Sequence, residues 1–181
     1  MVQGTKRIFI DFDNYVKKRA KGFTEREWIF QAVNDWLVNP NGARYFLLIG
    51  EPGSGKTAIA SRLVQISQEV IAPSSVLTSF TTHFLSAFHF CWALERRWVN
   101  PSVFVESLAL QLAERYPAYA KAVVEKSGDR QIHIEVQQHI EQGQGIGVVI
   151  NRLDVSGVSP EDAFNRIIRE REHHPFTHAH A

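Results

Sequence analysis

Residues 50–57 read Gly50-Glu51-Pro52-Gly53-Ser54-Gly55-Lys56-Thr57, the pattern G-x-x-x-x-G-K-[ST]. In that order the residues can bind phosphate. A glycine-rich turn points backbone N–H groups inward, and a helix N-terminus completes an anion cradle. Lys56 then reaches the β/γ-phosphates, and the Thr57 hydroxyl ligates Mg²⁺. The flanks suit the motif: Tyr45-Phe46-Leu47-Leu48-Ile49 is an apolar run that predicts a strand into Gly50. Beyond the loop, Ile59, Leu63, Ile66 and Val70 recur at helical spacing.

The other elements follow from caps and period. Thr24 and Glu27 have capping-box spacing and open a helix whose predicted apolar face is Trp28, Ile29, Ala32, Val33, Trp36 and Leu37. Asn39-Pro40-Asn41-Gly42 ends it. The helix after the loop is expected to run to about Ile71, where Ala72-Pro73-Ser74-Ser75 breaks it, and a strand is expected near Leu85 to Ala93. Asn100-Pro101 caps and starts another helix with Phe104, Leu108 and Leu112 as one stripe. Pro117 restarts it, and Ser127-Gly128 closes it. From Ile132 the period becomes two: Ile132, Ile134, Val136, then Ile146, Val148, Ile150. With Gly143-Gln144-Gly145 as the turn, this favours a hairpin. A helix over 132–140 stays open, because Ile132, Val136 and Ile140 also fit a spacing of four. Ser159-Pro160-Glu161-Asp162 begins a last helix, with Phe164, Ile167 and Ile168 inside.

Composition narrows the partners. The 181 residues suit one domain with a real core, at 44% hydrophobic and 22% charged. A net charge of +1 leaves no electrostatic footprint for nucleic acid, and the run Lys17-Lys18-Arg19 with Lys21 reads as a solvated helix face. One cysteine, Cys91, allows no internal disulfide and suits a reducing cytoplasm. No secretory leader is visible. The uncharged stretch from Val76 to Leu94 is interrupted by threonines, serines and histidines, so no membrane contact is expected. No internal repeat is present, and residues 171–181, rich in histidine, read as a disordered tail.

Three segments together resemble the STAND class of signal-transduction NTPases, near the NACHT group. Phe23-Thr24-Glu25-Arg26-Glu27-Trp28 is similar to the class's F-x-G-R-E opening motif, and Gly50 to Thr57 is similar to its phosphate loop. Ala87-Phe88-His89-Phe90-Cys91, with Asn100-Pro101 and Phe104 to Leu112, resembles its second-strand and helix signature. The resemblance implies a three-layer α/β P-loop fold with a mostly parallel sheet, here carrying an added β-hairpin and forming an incomplete domain. It divides the chain into an N-terminal extension (1–22), a partial NTPase domain (23–170) and the tail. It also implies a switch that holds ATP or ADP with Mg²⁺. The implied binding set is Gly50, Glu51, Pro52, Gly53, Ser54, Gly55, Lys56, Thr57 and Ala58, joined by Arg26, with Lys56 as the catalytic group and Thr57 on the metal. Protein partners are expected through regions outside this chain, and nucleotide-dependent self-association is left open.

The sequence departs from the class in two places. Glu25 stands where the class has glycine. The only match to an acidic Mg²⁺-organising strand is Gly147 to Val155, with Asn151 at the metal-associated aspartate position and Val155 at the base-like glutamate position. Neither side chain can do that work. Hydrolysis is therefore expected to be weak or absent, with the acidic strand lying further along the family's chain. Asp154 reads as a turn aspartate, with a Mg²⁺ partner role as the alternative.

Asp11-Phe12-Asp13 resembles the D-x-D of haloacid-dehalogenase-type phosphatases and the opening of NYN-type nucleases, but Tyr15 is too large for the phosphatase motif. Both aspartates are expected in solvent on an element that packs against the core. His89 and Cys91 share one side of the expected strand and lack further zinc ligands, so both are expected in the core, as are Trp28, Trp36, Trp92 and Trp98. Glu51 is expected to face solvent. A P-loop small-molecule kinase, with Arg166, Arg169 and Arg171 as its lid, and a non-enzymatic interaction module are the remaining alternatives.

Overall fold

Local chemistry sets most of the elements seen in the computed structural model, which describes residues 10–23, 26–74, 77–125, 132–140 and 146–169. The chain forms two compact units, Asp11–Ser86 and Ala87–Ala181 with Met1–Ile10.

In the Asp11–Ser86 unit, α1 (Asp13–Ala20) carries an acidic first turn and Lys17, Lys18 and Arg19 in its last turn, which complements the helix dipole. Phe12, Val16 and Ala20 lie four apart and are buried, and α1 packs against α3 (Lys56–Ser67). The Asp13 N–H donates to Asp11 Oδ1 at 2.8 Å, and both aspartates are exposed. Between these helices, α2 (Glu27–Val38) buries Ile29, Phe30 and Val33 against Ile59, Ile66 and Phe80. The Phe30 ring meets Phe23 and Phe80 edge-on, at 5.7 and 6.3 Å. Buried Asn34 is satisfied, since its Oδ1 accepts from the Ser79 N–H at 3.0 Å.

Several expectations for this unit need correction. Trp28 is 71% exposed. The apolar arc of α2 is wide, with Glu27, Gln31, Asn34 and Asp35 opposite it and Trp28 at its edge, and the partners on α3 and at Phe80 select the Ile29/Phe30/Val33 face. The capping-box reading fails to place a cap, because Arg26 precedes the helix with no side-chain cap bond, and Thr24 lies outside the described residues. Helix α3 stops at Ser67, short of Ile71, because Glu69 turns left-handed at φ 59°. Asn39 does end α2: its Oδ1 accepts from the Asn41 N–H at 3.0 Å.

The expected parallel sheet is not seen among the described residues. Residues 45–49 lie in no helix and belong to no ladder. Their side chains still alternate: Tyr45, Leu47 and Ile49 are 86, 78 and 80% exposed, while Leu48 is half-buried against the core. Residues 85–93 form no strand either. The Phe88 N–H and C=O are both taken by the Gln111 side-chain amide, at 3.1 and 2.8 Å, so a side chain stands where a strand partner was expected. Cys91 is accordingly exposed, and half-buried His89 places Nε2 2.9 Å from the Trp98 carbonyl oxygen. Among the described residues the sheet is one antiparallel pair, so helix and sheet are mixed there and no parallel pairing is present among them.

That pair lies in the Ala87–Ala181 unit. A short 3-10 turn, Arg96–Val99, leads into α4 (Pro101–Arg115). Asn100 Oδ1 accepts from the N–H groups of Ser102 and Val103 at 2.9 and 3.3 Å, a cap that stabilises by ~1 kcal/mol. Helix α5 (Pro117–Glu125) restarts at the proline, and its expected close at Ser127-Gly128 falls outside the described residues. Strands β1 (His133–Ile140) and β2 (Ile146–Asp154) pair antiparallel, with Ile134 opposite Leu153 and Val136 opposite Ile150. The hairpin is thus formed and the helical alternative for 132–140 is excluded. The Gly143-Gln144-Gly145 turn and the 171–181 tail lie outside the described residues. In α6 (Pro160–Ile167), Ser159 Oγ accepts from the Asp162 N–H at 3.1 Å.

The expected Phe104/Leu108/Leu112 stripe of α4 is only half-buried, and Val105, Ala109, Leu110 and Ala113 form the deeper face. They pack with Leu153, Val155 and Ile167, each fully buried aliphatic side chain stabilising by roughly 1.5–3 kcal/mol. Inside this core the Tyr119 hydroxyl donates to the Ile167 carbonyl at 3.0 Å. Glu106 Oε1 accepts from the Val155 N–H at 3.1 Å. Burial pushes the Glu106 carboxyl above its usual range, opposed by that N–H and reinforced by the Asp154 charge. The folded state therefore holds this proton more tightly than the unfolded chain, and stability falls as pH rises from the ordinary glutamate range through the raised value. Glu106→Gln keeps the acceptor and removes the charge. It is expected to melt above wild type at pH 7, with the gap closing at pH 4. Thermal melts across pH check this, and parallel curves would refute it.

Candidate phosphate-binding site

Two left-handed glycines shape the loop. Gly53 and Gly55 sit at φ 82° and 89°, a region that L side chains rarely adopt. The Ser54 N–H closes the turn onto the Glu51 carbonyl at 3.1 Å, and α3 begins at Lys56 with the Ile59 N–H on the Gly55 carbonyl at 3.0 Å. The preceding amides of that first turn have no intrahelical partners. Gly50 is also crowded: a Cβ there would meet Ser54 Oγ at 2.8 Å, so the Ser54 hydroxyl would have to turn away.

Lys56 folds over its own loop. Its Nζ donates to the carbonyls of Gly50 and Glu51 at 2.6 and 2.8 Å and reaches Ser54 Oγ at 3.4 Å. The ammonium is thus held at the loop by neutral oxygens that an anion can replace. Arg26 approaches from the start of α2 and donates from Nη1 to the Ser54 carbonyl. Its guanidinium lies so close that a Cβ on Gly55 would meet Nη1 at 3.1 Å. The distance in sequence from Arg26 to Ser54 is bridged by the α2–α3 packing described above.

Of the residues expected from sequence, Gly53, Gly55, Lys56, Thr57 and Ala58 line one cavity of about 270 Å³. Gly50, Glu51 and Pro52 are exposed and do not line it, and half-buried Ser54 lies with its Oγ 3.4 Å from Lys56 Nζ. Arg26 also lines a second cavity of about 490 Å³, with Phe23, Trp28, Phe30, Arg62 and Leu77 among its walls. The Arg62 guanidinium lies 5.1 Å from the Phe23 ring centroid.

One lining residue escaped the sequence reading. Arg19 of α1 borders the 270 Å³ cavity. With Val16 and Ala20 turned inward, Arg19 is pinned beside the buried face of α1. That spacing is in the sequence, but the partner helix is not.

The candidate acidic strand carries no such constellation. It is β2, in the other unit, and it pairs antiparallel with β1. Val155 is fully buried, and Asn151 is half-buried. Asp154 Oδ1 accepts from the Ser156 hydroxyl and N–H at 2.6 and 3.0 Å, and these bonds hold its carboxyl below the usual range. Among the described residues no cluster of three or more His, Cys, Asp and Glu is arranged for a metal, and no helix is long and apolar enough to cross a membrane. Arg166 lies on α6, Arg169 follows it, and Arg171 lies outside the described residues.

No curated protein and no solved structure matches the chain. A family model described as Nephrocystin 3, N-terminal, matches residues 24–145. That span begins just before α2 and takes in the loop, α3, α4 and β1, well over half of the chain. The chain belongs to the nephrocystin 3 N-terminal family.

Proposed function

We propose that the chain is the nucleotide-binding part of a signal-transduction P-loop NTPase of the STAND, NACHT-like kind, holding ATP or ADP as a switch in the cytoplasm. The observation that carries this reading is the joint placement of Lys56, the two left-handed glycines and Arg26 around one helix N-terminus. Polyphosphate oxygens replace the Gly50 and Glu51 carbonyls as acceptors for Lys56. The free amides at the start of α3 hold the same phosphates. Arg26 borders both the loop and the apolar 490 Å³ cavity, so it stands between the phosphates and a base lodged beside Phe23 and Phe30.

The loop suits Mg²⁺-nucleotide in this reading, since the positive φ at positions 53 and 55 favours glycine and half-buried Thr57 lines the same cavity. When bound, Mg²⁺ neutralises phosphate charge, with Thr57 as its protein ligand. Turnover is weak in this reading, because Asn151 and Val155 supply neither a metal carboxylate nor a base. Signalling partners act through regions outside this chain. Calorimetric titration of the 181-residue chain with MgADP and MgATP is expected to give saturable one-to-one binding. Absence of binding by both nucleotides overturns the proposal.

A further inference from the structure

We propose that Arg19 on α1 is a direct ligand of the nucleotide's polyphosphate, so that the helix before the matched family region completes the site. This inference rests on the nucleotide-binding reading above. The 270 Å³ cavity is lined by Gly53, Gly55, Lys56, Thr57 and Ala58, all from one continuous segment, and by Arg19 from another element. Family membership assigns nothing here, because α1 ends before residue 24, where the family match begins.

Three features make Arg19 more than a nearby surface charge. Its backbone is fixed, since Phe12, Val16 and Ala20 are buried and α1 packs on α3, the helix that the loop starts. Its guanidinium lies over an aromatic ring, with Cζ 5.1 Å from the centroid of Tyr15. A guanidinium resting on an aromatic face keeps its N–H fork in plane for a bidentate contact with phosphate oxygens. Finally, Lys56 and Arg26 already contact the loop's own oxygens, so each exchanges bonds when an anion enters. Arg19 instead borders the cavity from outside the loop, and the anion adds its contact without taking one from the loop.

Lys17 and Lys18 sit on the same turn of α1 and carry the same charge, yet neither lines the cavity. They separate a local contact from the general field of a basic helix. Exposed Arg19 is partly screened, which limits the expected effect to the lower part of the range for a charge-assisted hydrogen bond.

The test is calorimetric titration of MgADP and MgATP into wild type, Arg19→Gln, Arg19→Lys, Lys17→Ala and Lys56→Ala, each first melted without ligand. Arg19→Gln is expected to weaken both nucleotides about tenfold, with an unchanged ligand-free melt. Arg19→Lys, which keeps the charge but not the fork, is expected to fall between, and Lys17→Ala to match wild type. Wild-type affinity in Arg19→Gln overturns the proposal while leaving nucleotide binding intact, provided Lys56→Ala still abolishes it. Equal weakening in Lys17→Ala also overturns it, in favour of a long-range field. If Arg19→Gln fails to fold, wild-type affinity in Arg19→Lys overturns the bidentate contact. Failure of wild type to bind either nucleotide removes both this proposal and the reading it rests on.

Discussion

Lys56→Ala is expected to lower affinity for MgADP and MgATP by about 100-fold or more while leaving the ligand-free melt near that of wild type. The two halves of this expectation have different causes. Without nucleotide, the Lys56 ammonium bonds to the carbonyls of Gly50 and Glu51, both of them exposed residues. Water can take over those oxygens, so the loss costs at most about 1 kcal/mol. With nucleotide, the same ammonium faces phosphate oxygens at the N-terminus of α3, whose first amides lack intrahelical partners. Charge-assisted bonds of that kind contribute about 1.5–3 kcal/mol each, and losing two of them is enough for the stated factor. Lys56→Arg is expected to restore little, because a planar fork cannot repeat the compact ammonium's contacts with Gly50, Glu51 and Ser54. Calorimetry on the two variants decides it, and wild-type affinity in Lys56→Ala would remove the phosphate-binding assignment altogether.

How far the chain could be read without coordinates depended on the range of the interaction. Caps are chemistry over three residues, so Asn100-Pro101 and Ser159-Pro160 start α4 and α6 where their side chains say they should. The hairpin was legible because the period of two in Ile132, Ile134 and Val136 recurs in Val148 and Ile150, and cross-strand partners are close in sequence. The loop's glycines were legible because positive φ is a property of the residue type. Faces were harder. In α2 the aromatic and aliphatic residues span a wide arc, and which of them are buried depends on Phe80, some fifty residues away in sequence, so Trp28 at the arc's edge ends in solvent. The expected strand at 85–93 failed for a similar reason, since the Gln111 amide competes for the Phe88 backbone and no local pattern announces it. The site shows both cases. The loop's turn is a local feature of its glycines, whereas Arg19 joins the cavity only through the packing of α1 on α3. Arg26 was anticipated through a family likeness and not through spacing, and its contact with Ser54 is again tertiary.

Gly55→Ala is the second large effect, and Gly22→Ala is its internal control. Both glycines have positive φ, 89° and 72°, so an alanine at either position meets a similar backbone penalty of roughly 1–2 kcal/mol. Their surroundings differ. A Cβ at Gly22 meets nothing within 4 Å, whereas a Cβ at Gly55 comes within 3.1 Å of Arg26 Nη1 and 3.3 Å of its Cζ. Arg26 can swing away, but it then gives up the Ser54 carbonyl and its place beside the loop. The new methyl group also stands in a residue that lines the 270 Å³ cavity, where phosphate must approach the backbone closely. The two variants are therefore expected to lose similar stability in chemical denaturation. Their nucleotide affinities should diverge, with Gly22→Ala near wild type and Gly55→Ala weakened by about tenfold or more. Adding Arg26→Ala to Gly55→Ala isolates the two causes. If displacement of Arg26 dominates, the double variant binds no more weakly than Gly55→Ala alone; if the methyl group blocks the phosphate, Arg26→Ala by itself retains most of the affinity. Equal affinities in Gly22→Ala and Gly55→Ala would mean that the glycine at position 55 serves only the turn, and that the cavity beside it is not where the phosphate binds.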